Sequence, residues 1–398
     1  MADEPRRTRR NVLQTAAGLA GTAALAGCSQ SEGGSGTPND TETSGADAAT
    51  SAGTEQTDAE TEASSGGRYA VSMEPVGEVT FEAVPETWVA NNGSWADMGV
   101  ALGRDPPEGV WLPSRYHTQY YDEIPDVSVD KSGMKKLWGS SGVGKEQFYS
   151  IDADVHVIDP NFLVNRAKGW KQSDVDEISE NVAPFFGNSI FSTGYEWHES
   201  YPYLSLYEAF GKLAQAFQRT DRYDAFKTYH DETFQSNVAN VVPDEGDRPA
   251  VAIMWAAGNE PEEFSPYLIG EGTSFKQWRD LKVRDALAET GVKDFHATRA
   301  AIDYETLLEI DPPILMLRGH EGQTKSEFQN TVVDFMENHD VASQLTAVKN
   351  GDVYRGGPLY QGPITNLVVT ERAAKQVYGV EDELFDRERV ASIVNGDF

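Results

Sequence analysis

Two stretches of this chain gather side chains suited to gripping a ring-bearing or chelating ligand. One is Ser114-Arg-Tyr-His-Thr-Gln-Tyr-Tyr121, the other Tyr195-Glu-Trp-His198. Trp95, Trp255 and Tyr360 follow strands or turns, at the ends where open α/β sheets bind ligands, and Arg318 follows an apolar strand in the same way. Aromatic rings offer large flat contacts, and arginine offers paired donors to ligand oxygens. The expected binding set is Trp95, Arg115, Tyr116, Trp197, Trp255, Arg318 and Tyr360, and its chemistry favours an organic chelate over a small ion.

Other chemistries find less support. Gly139-Ser-Ser-Gly-Val-Gly-Lys145 follows the phosphate-loop pattern until its last position, where Glu146 replaces the Ser or Thr that would bind magnesium. Its glycines are read as a loop at a cleft rim. The 7 histidines are scattered, without His-Glu-x-x-His or paired cysteines. A bare-metal site would need His117, His198 or His320 to converge with carboxylates in space. There is no Gly-x-Ser-x-Gly elbow. No catalytic residue, resident metal or cofactor is expected.

The elements that must position these residues alternate between short apolar strands and helices, which indicates α/β lobes. Strands are predicted at 79–83, 87–90, 155–158, 251–255 and 314–317. Helices are predicted at 95–102, 147–150, 281–289, 304–309, 331–339 and 370–378, and 382–394 closes the chain. Asn350-Gly351 reads as a hairpin-type turn. Between the two halves lie two helices without intervening strands. Leu206, Phe210, Leu213 and Phe217 share a face of the first. The second covers 221–242, and about 22 residues at 1.5 Å each reach about 33 Å, enough to join two lobes. His230 lies in its apolar stripe and is read as packed.

At the N-terminus, Arg6, Arg7, Arg9 and Arg10 precede a small-residue apolar run, Val12 to Gly27, too short for a membrane span. The Arg9-Arg10 pair points to the twin-arginine export route. Leu25-Ala-Gly-Cys28 resembles a lipobox, which implies lipidation of Cys28, the only cysteine. Residues 29–67 carry 8 acidic residues and no Lys or Arg, the composition of a disordered tether. The expected organisation is a signal over 1–28, a tether over 29–67, a lobe over 68–220, the joining helix, and a second lobe over 243–398.

With 64 acidic residues against 33 Lys plus Arg, the chain has a formal net charge of −31. Such a field repels nucleic acid and anionic membranes. The charge is spread along the whole chain, which reads as a halophile's surface, of the haloarchaeal kind, and not as a concentrated cation site.

Three segments together resemble one family. Gly144-Lys-Glu-Gln-Phe-Tyr-Ser-Ile-Asp-Ala-Asp-Val-His-Val-Ile158 is similar to a helix-strand unit of solute-binding proteins for iron-siderophore complexes, haem and cobalamin. Residues 302–317 resemble the same unit in the second lobe, and 345–354 resemble a terminal motif. Ala153 stands where the family usually has proline, and Pro313 where it usually has aspartate. The resemblance implies a class III fold, two α/β lobes joined by a single long helix. It implies a monomer on the outer face of the cytoplasmic membrane, bound to the membrane only through lipid, that passes a ferric-siderophore-like cargo to the permease subunits of an ABC importer. It also aligns Glu146 and Glu305 with the exposed glutamates, one per lobe, that dock on that importer. Haem, cobalamin or a naked zinc, manganese or iron ion are the alternative cargoes, and an extracellular enzyme on a similar fold is the rival from another class.

Overall fold

The computed structural model describes residues 67–139 and 142–398. The signal, Cys28 and the tether up to residue 66 lie outside them. The strands are β1 (Tyr69–Met73), β2 (Gly77–Phe81), β3 (Trp88–Ala90), β4 (Gly109–Val110), β5 (Lys135–Lys136), β6 (Val155–Val157), β7 (Ala250–Ala256), β8 (Phe264–Tyr267), β9 (Arg284–Asp285), β10 (Ile314–Arg318) and β11 (Val353–Arg355). β1 and β2 form an antiparallel pair. The first lobe holds a parallel sheet in the order β5-β4-β3-β6. The second holds β11-β10-β7-β8, with β8 antiparallel to β7 and β9 parallel to it.

The central strands of both sheets are covered on both faces, so they are largely apolar and alternate between two cores. In β7, Val251 and Ile253 enter one core while Ala252, Met254 and Ala256 enter the other. In β10, Met316 follows the first pair and Leu315 and Leu317 the second. β3 divides likewise, with Trp88 and Ala90 in the large core and Val89 in a smaller one with Phe148 and Ile158. The large core touches inner faces of both sheets and takes in Phe226, Phe234 and Val238 from the chain between the lobes. One continuous core on that side disfavours free motion between the lobes.

The chain between the sheets is helical from Thr220 through Val241, with a π-helical turn at His230–Phe234. His230 is buried there, with its ring 4.1 Å from that of Tyr207 and its Nδ1 2.7 Å from Asp231 Oδ1. The last long helix, Pro363–Tyr378, returns to pack against Gly93–Ala101 of the first lobe.

Two expectations need correction. Residues 281–289 are turns and β9, not a helix. Asp285 fixes them, accepting from the backbone N–H groups of Ile269 and Leu287 at 2.8 Å each, so a local carboxylate outcompetes the helical pattern. Asn350-Gly351 ends the helix Thr346–Asn350, with Gly351 at φ 75, and is not a hairpin. A left-handed glycine serves a helix C-terminus as well as a tight hairpin, so the dipeptide alone did not discriminate.

Candidate functional site

A cleft of about 610 Å³ opens where the carboxyl ends of the parallel strands meet from both lobes. From the first lobe, Trp111 and Arg115 follow β4, Trp138 follows β5, and Phe162 and Arg166 lie on the helix Pro160–Arg166 after β6. Phe191 and Tyr195 extend that wall. From the second lobe come Trp255 on β7, Tyr267 on β8, His296 on the short helix Phe295–Thr298, Arg299 just past it, and Tyr360 beyond β11. Strand ends deliver side chains here because a right-handed crossover leaves each strand's carboxyl end free to turn into a loop.

Arginines hold the two lobes' walls together without carboxylates. Arg115 of the first lobe lies over the Trp255 ring of the second at 4.8 Å. Arg299 of the second lies 5.9 Å from the Tyr195 ring of the first and 5.3 Å from Phe295. No Asp or Glu lines this cleft, and Arg115, Arg166 and Arg299 make no ion pair among the described residues. A chain with nearly twice as many acidic as basic residues has thus set three unpaired guanidinium groups around one cavity. Burial raises the phenol of Tyr195 far above its ordinary range, so it stays neutral and is a hydrogen-bond donor.

The expected binding residues fall into three places. Arg115, Trp255 and Tyr360 line the cleft. Trp197 stacks on Tyr195 at 4.3 Å and lines an adjoining recess of about 440 Å³ with Arg166 and Arg299. Trp95, Tyr116 and Arg318 are buried away from the cavity. Tyr116 shares a hydrogen bond of 2.8 Å with the Tyr121 hydroxyl, and Arg318 donates to the Ser274 carbonyl. Sequence reasoning missed Trp111, Trp138, Arg166, Tyr267, His296 and Arg299. The first three follow strands of two or three residues, too short to leave a periodic signal. Gly139 and Gly142 exchange backbone hydrogen bonds of 2.8 and 3.1 Å in a tight turn beside Trp138.

Beside the cleft, a buried carboxylate ties the lobes. Arg372 donates to both Glu321 oxygens at 2.9 and 3.0 Å, Tyr120 donates to the same carboxylate, and Gly357 N–H adds 3.0 Å. Burial alone would raise the Glu321 pKa, but the Arg372 guanidinium outweighs it and holds it down at about 2. Glu146 and Glu305 are exposed in the first turns of Lys145–Ile151 and Tyr304–Ile310.

Two α/β lobes, one joining helix and a cleft at the strand ends make up the fold of class III solute-binding proteins. Residues 158–359 match the model of the periplasmic binding protein family, and the chain belongs to that family. The fold is shared with a periplasmic binding protein from Veillonella parvula (TM-score 0.56, 16% identity, covering 79% of this chain and 99% of that one). It is also shared with the iron uptake ABC transporter substrate-binding protein PiuA from Streptococcus pneumoniae (0.52, 18%, 77% and 98%). A third is the petrobactin-binding protein YclQ from Bacillus subtilis (0.52, 18%, 79% and 99%). No curated protein matches the sequence.

Proposed function

We propose that the chain is a lipid-anchored extracellular binding protein that captures an anionic ferric chelate of the siderophore class and delivers it to an ABC importer. The carrying observation is the cleft itself, with three arginines lacking carboxylate partners between aromatic walls. Guanidinium groups kept free of carboxylate partners are ready to donate paired hydrogen bonds to catecholate or carboxylate oxygens, and the rings cover the ligand's apolar surface. Two fold neighbours are named for iron uptake and petrobactin binding, which agrees with this reading. Among the described residues no three His, Cys, Asp or Glu side chains gather to hold a bare metal ion, so the naked-ion alternative gains no support. Delivery uses Glu146 and Glu305 as one anchor per lobe, and Cys28 as the lipid attachment.

Trp111, Trp138 and Trp255 in the cleft make intrinsic fluorescence the natural readout. A trianionic ferric tricatecholate should bind far more tightly than a neutral ferric trihydroxamate. Arg115→Ala, Arg166→Ala and Arg299→Ala should each weaken it about 10- to 150-fold, the equivalent of a charge-assisted hydrogen bond. Equal affinity for both chelates, or unchanged affinity in all three variants, would remove the anionic cargo. Haem, a flat anion suited to the same walls, would reveal itself by a Soret band on titration. Cys28→Ser should release the folded domain from membranes.

A further inference from the structure

We propose that Arg318 is an unneutralised charge held behind the cleft, whose counter-ion is the bound anion, so that it sets the site's charge preference without touching cargo. The inference rests on the anionic-cargo reading. Arg318 has no exposed surface, and among the described residues its only hydrogen bond goes to the Ser274 carbonyl. Its Nε and Nη1 have no partner. No carboxylate hydrogen-bonds to it, and the two whose charge it feels make their hydrogen bonds elsewhere. Glu321 is gripped by Arg372, and Asp294 accepts from the backbone N–H of Leu268 and the backbone and ring of His296.

Its position is one layer from the ligand. The guanidinium lies 5.6 Å from the Tyr267 ring and 4.7 Å from Phe275. Tyr267 is a cleft wall, and Trp255, the register partner of Arg318 on β7, is another. Two rings thus hold the charge against the back of the site while screening it from water. Burial lowers the Arg318 pKa to about 10, still well above neutrality, so the group remains charged.

An interior guanidinium without a carboxylate is costly, and an apolar residue of similar size in its place is often neutral or stabilising. Folding alone therefore gives no reason for it. An anion in the cleft does, because a charge in a low-dielectric surrounding acts over several ångströms that water would screen. The free protein stores the desolvation cost, and ligand relieves it. Arg115, Arg166 and Arg299 grip the cargo directly, whereas Arg318 adds attraction that depends on net charge alone.

The test compares wild type, Arg318→Met and Arg318→Lys by ligand-free thermal denaturation and by fluorescence titration with ferric tricatecholate and neutral ferric trihydroxamate. Ligand-free Arg318→Met should melt at a higher temperature than wild type. It should lose at least about tenfold in affinity for the trianion, the order that even one unit charge exerts on another about 12 Å away at an effective dielectric near 20, and keep its affinity for the neutral chelate. Arg318→Lys, which keeps the charge but not the planar fork, should retain most of the preference for the trianion. A lower melting point for ligand-free Arg318→Met would overturn the proposal, as would equal losses for both chelates, which mark a merely structural role. If wild type binds neither chelate, the cargo reading fails, and the melting comparison alone decides whether Arg318 carries an unneutralised charge.

Discussion

The two helix-strand units of the molecule start alike and end differently. Lys145–Ile151 and Tyr304–Ile310 are both short helices with a glutamate in the first turn. Each ends in a left-handed aspartate, Asp152 at φ 53 and Asp311 at φ 43, and each leads into a parallel strand, β6 or β10. Beyond the strands they diverge. After β6, Asp159 caps the helix that carries Arg166 into the cleft, and it accepts only neutral donors, from Asn161 N–H (2.9 Å), Tyr201 (2.6 Å) and Ser189 (3.0 Å). After β10, the arginine stays buried and Glu321 takes a guanidinium. One local design thus yields a cleft-lining arginine in one lobe and an interlobe tie in the other, because the surroundings of the strand end differ.

The largest effect should come from the shared feature. Glu146→Arg with Glu305→Arg should abolish transport in reconstituted vesicles while cargo affinity stays unchanged, and each single variant should lose part of it. Normal uptake by the double variant would remove both glutamates from the docking surface.

Next come the buried carboxylates. Glu321→Ala strands Arg372 and should cost about 3–5 kcal/mol in urea denaturation, against about 1–2 kcal/mol for Asp159→Ala, which removes a helix cap. Equal costs would mean the guanidinium contributes nothing special.

Their pH dependences should have opposite signs. The Glu321 pKa, held at about 2 in the fold, lies below its unfolded value of 4.5. Its stabilisation is therefore complete above the unfolded value and is lost as pH falls from there through about 2. Burial raises the Asp159 pKa despite its hydrogen bonds, so the fold gains stability there as pH falls. Urea midpoints of wild type, Glu321→Gln and Asp159→Asn across the acid range should show the two differences changing in opposite directions.

The smallest contrast concerns the left-handed aspartates. Asp311 accepts from Thr346 N–H and hydroxyl at 2.7 Å each. Asp311→Gly should therefore cost about 1–3 kcal/mol, the loss of two hydrogen bonds at an exposed site. Asp152→Gly should stay within about 0.5 kcal/mol, because relief of backbone strain offsets the greater unfolded-state freedom of glycine. Matching melting shifts in the two variants would erase this difference.

Much of the architecture was written locally. The apolar runs at β7 and β10 and the helical spacing from Tyr223 to Val241 were legible, since each depends on neighbours within one or two turns, whereas Glu146 and Glu305 were singled out only by the family resemblance. The carboxyl-end rule also brought Arg115, Trp255 and Tyr360 into view. It misplaced Arg318, because following a strand fixes where a residue starts and not which way its side chain leaves. Trp95 was misplaced as well, since it lies on a helix whose whole length is buried.

The sequence by itself determined the α/β class, the two helix-strand units and the acidic surface, because periodicity and charge survive without knowledge of partners. Only the tertiary structure decided that Arg115, Arg166 and Arg299 line one cleft whose walls carry no carboxylate, that Glu321 closes on Arg372, and that no carboxylate hydrogen-bonds to Arg318. Each of these depends on residues far apart in the chain, whose distances are set by packing two lobes around one joining helix.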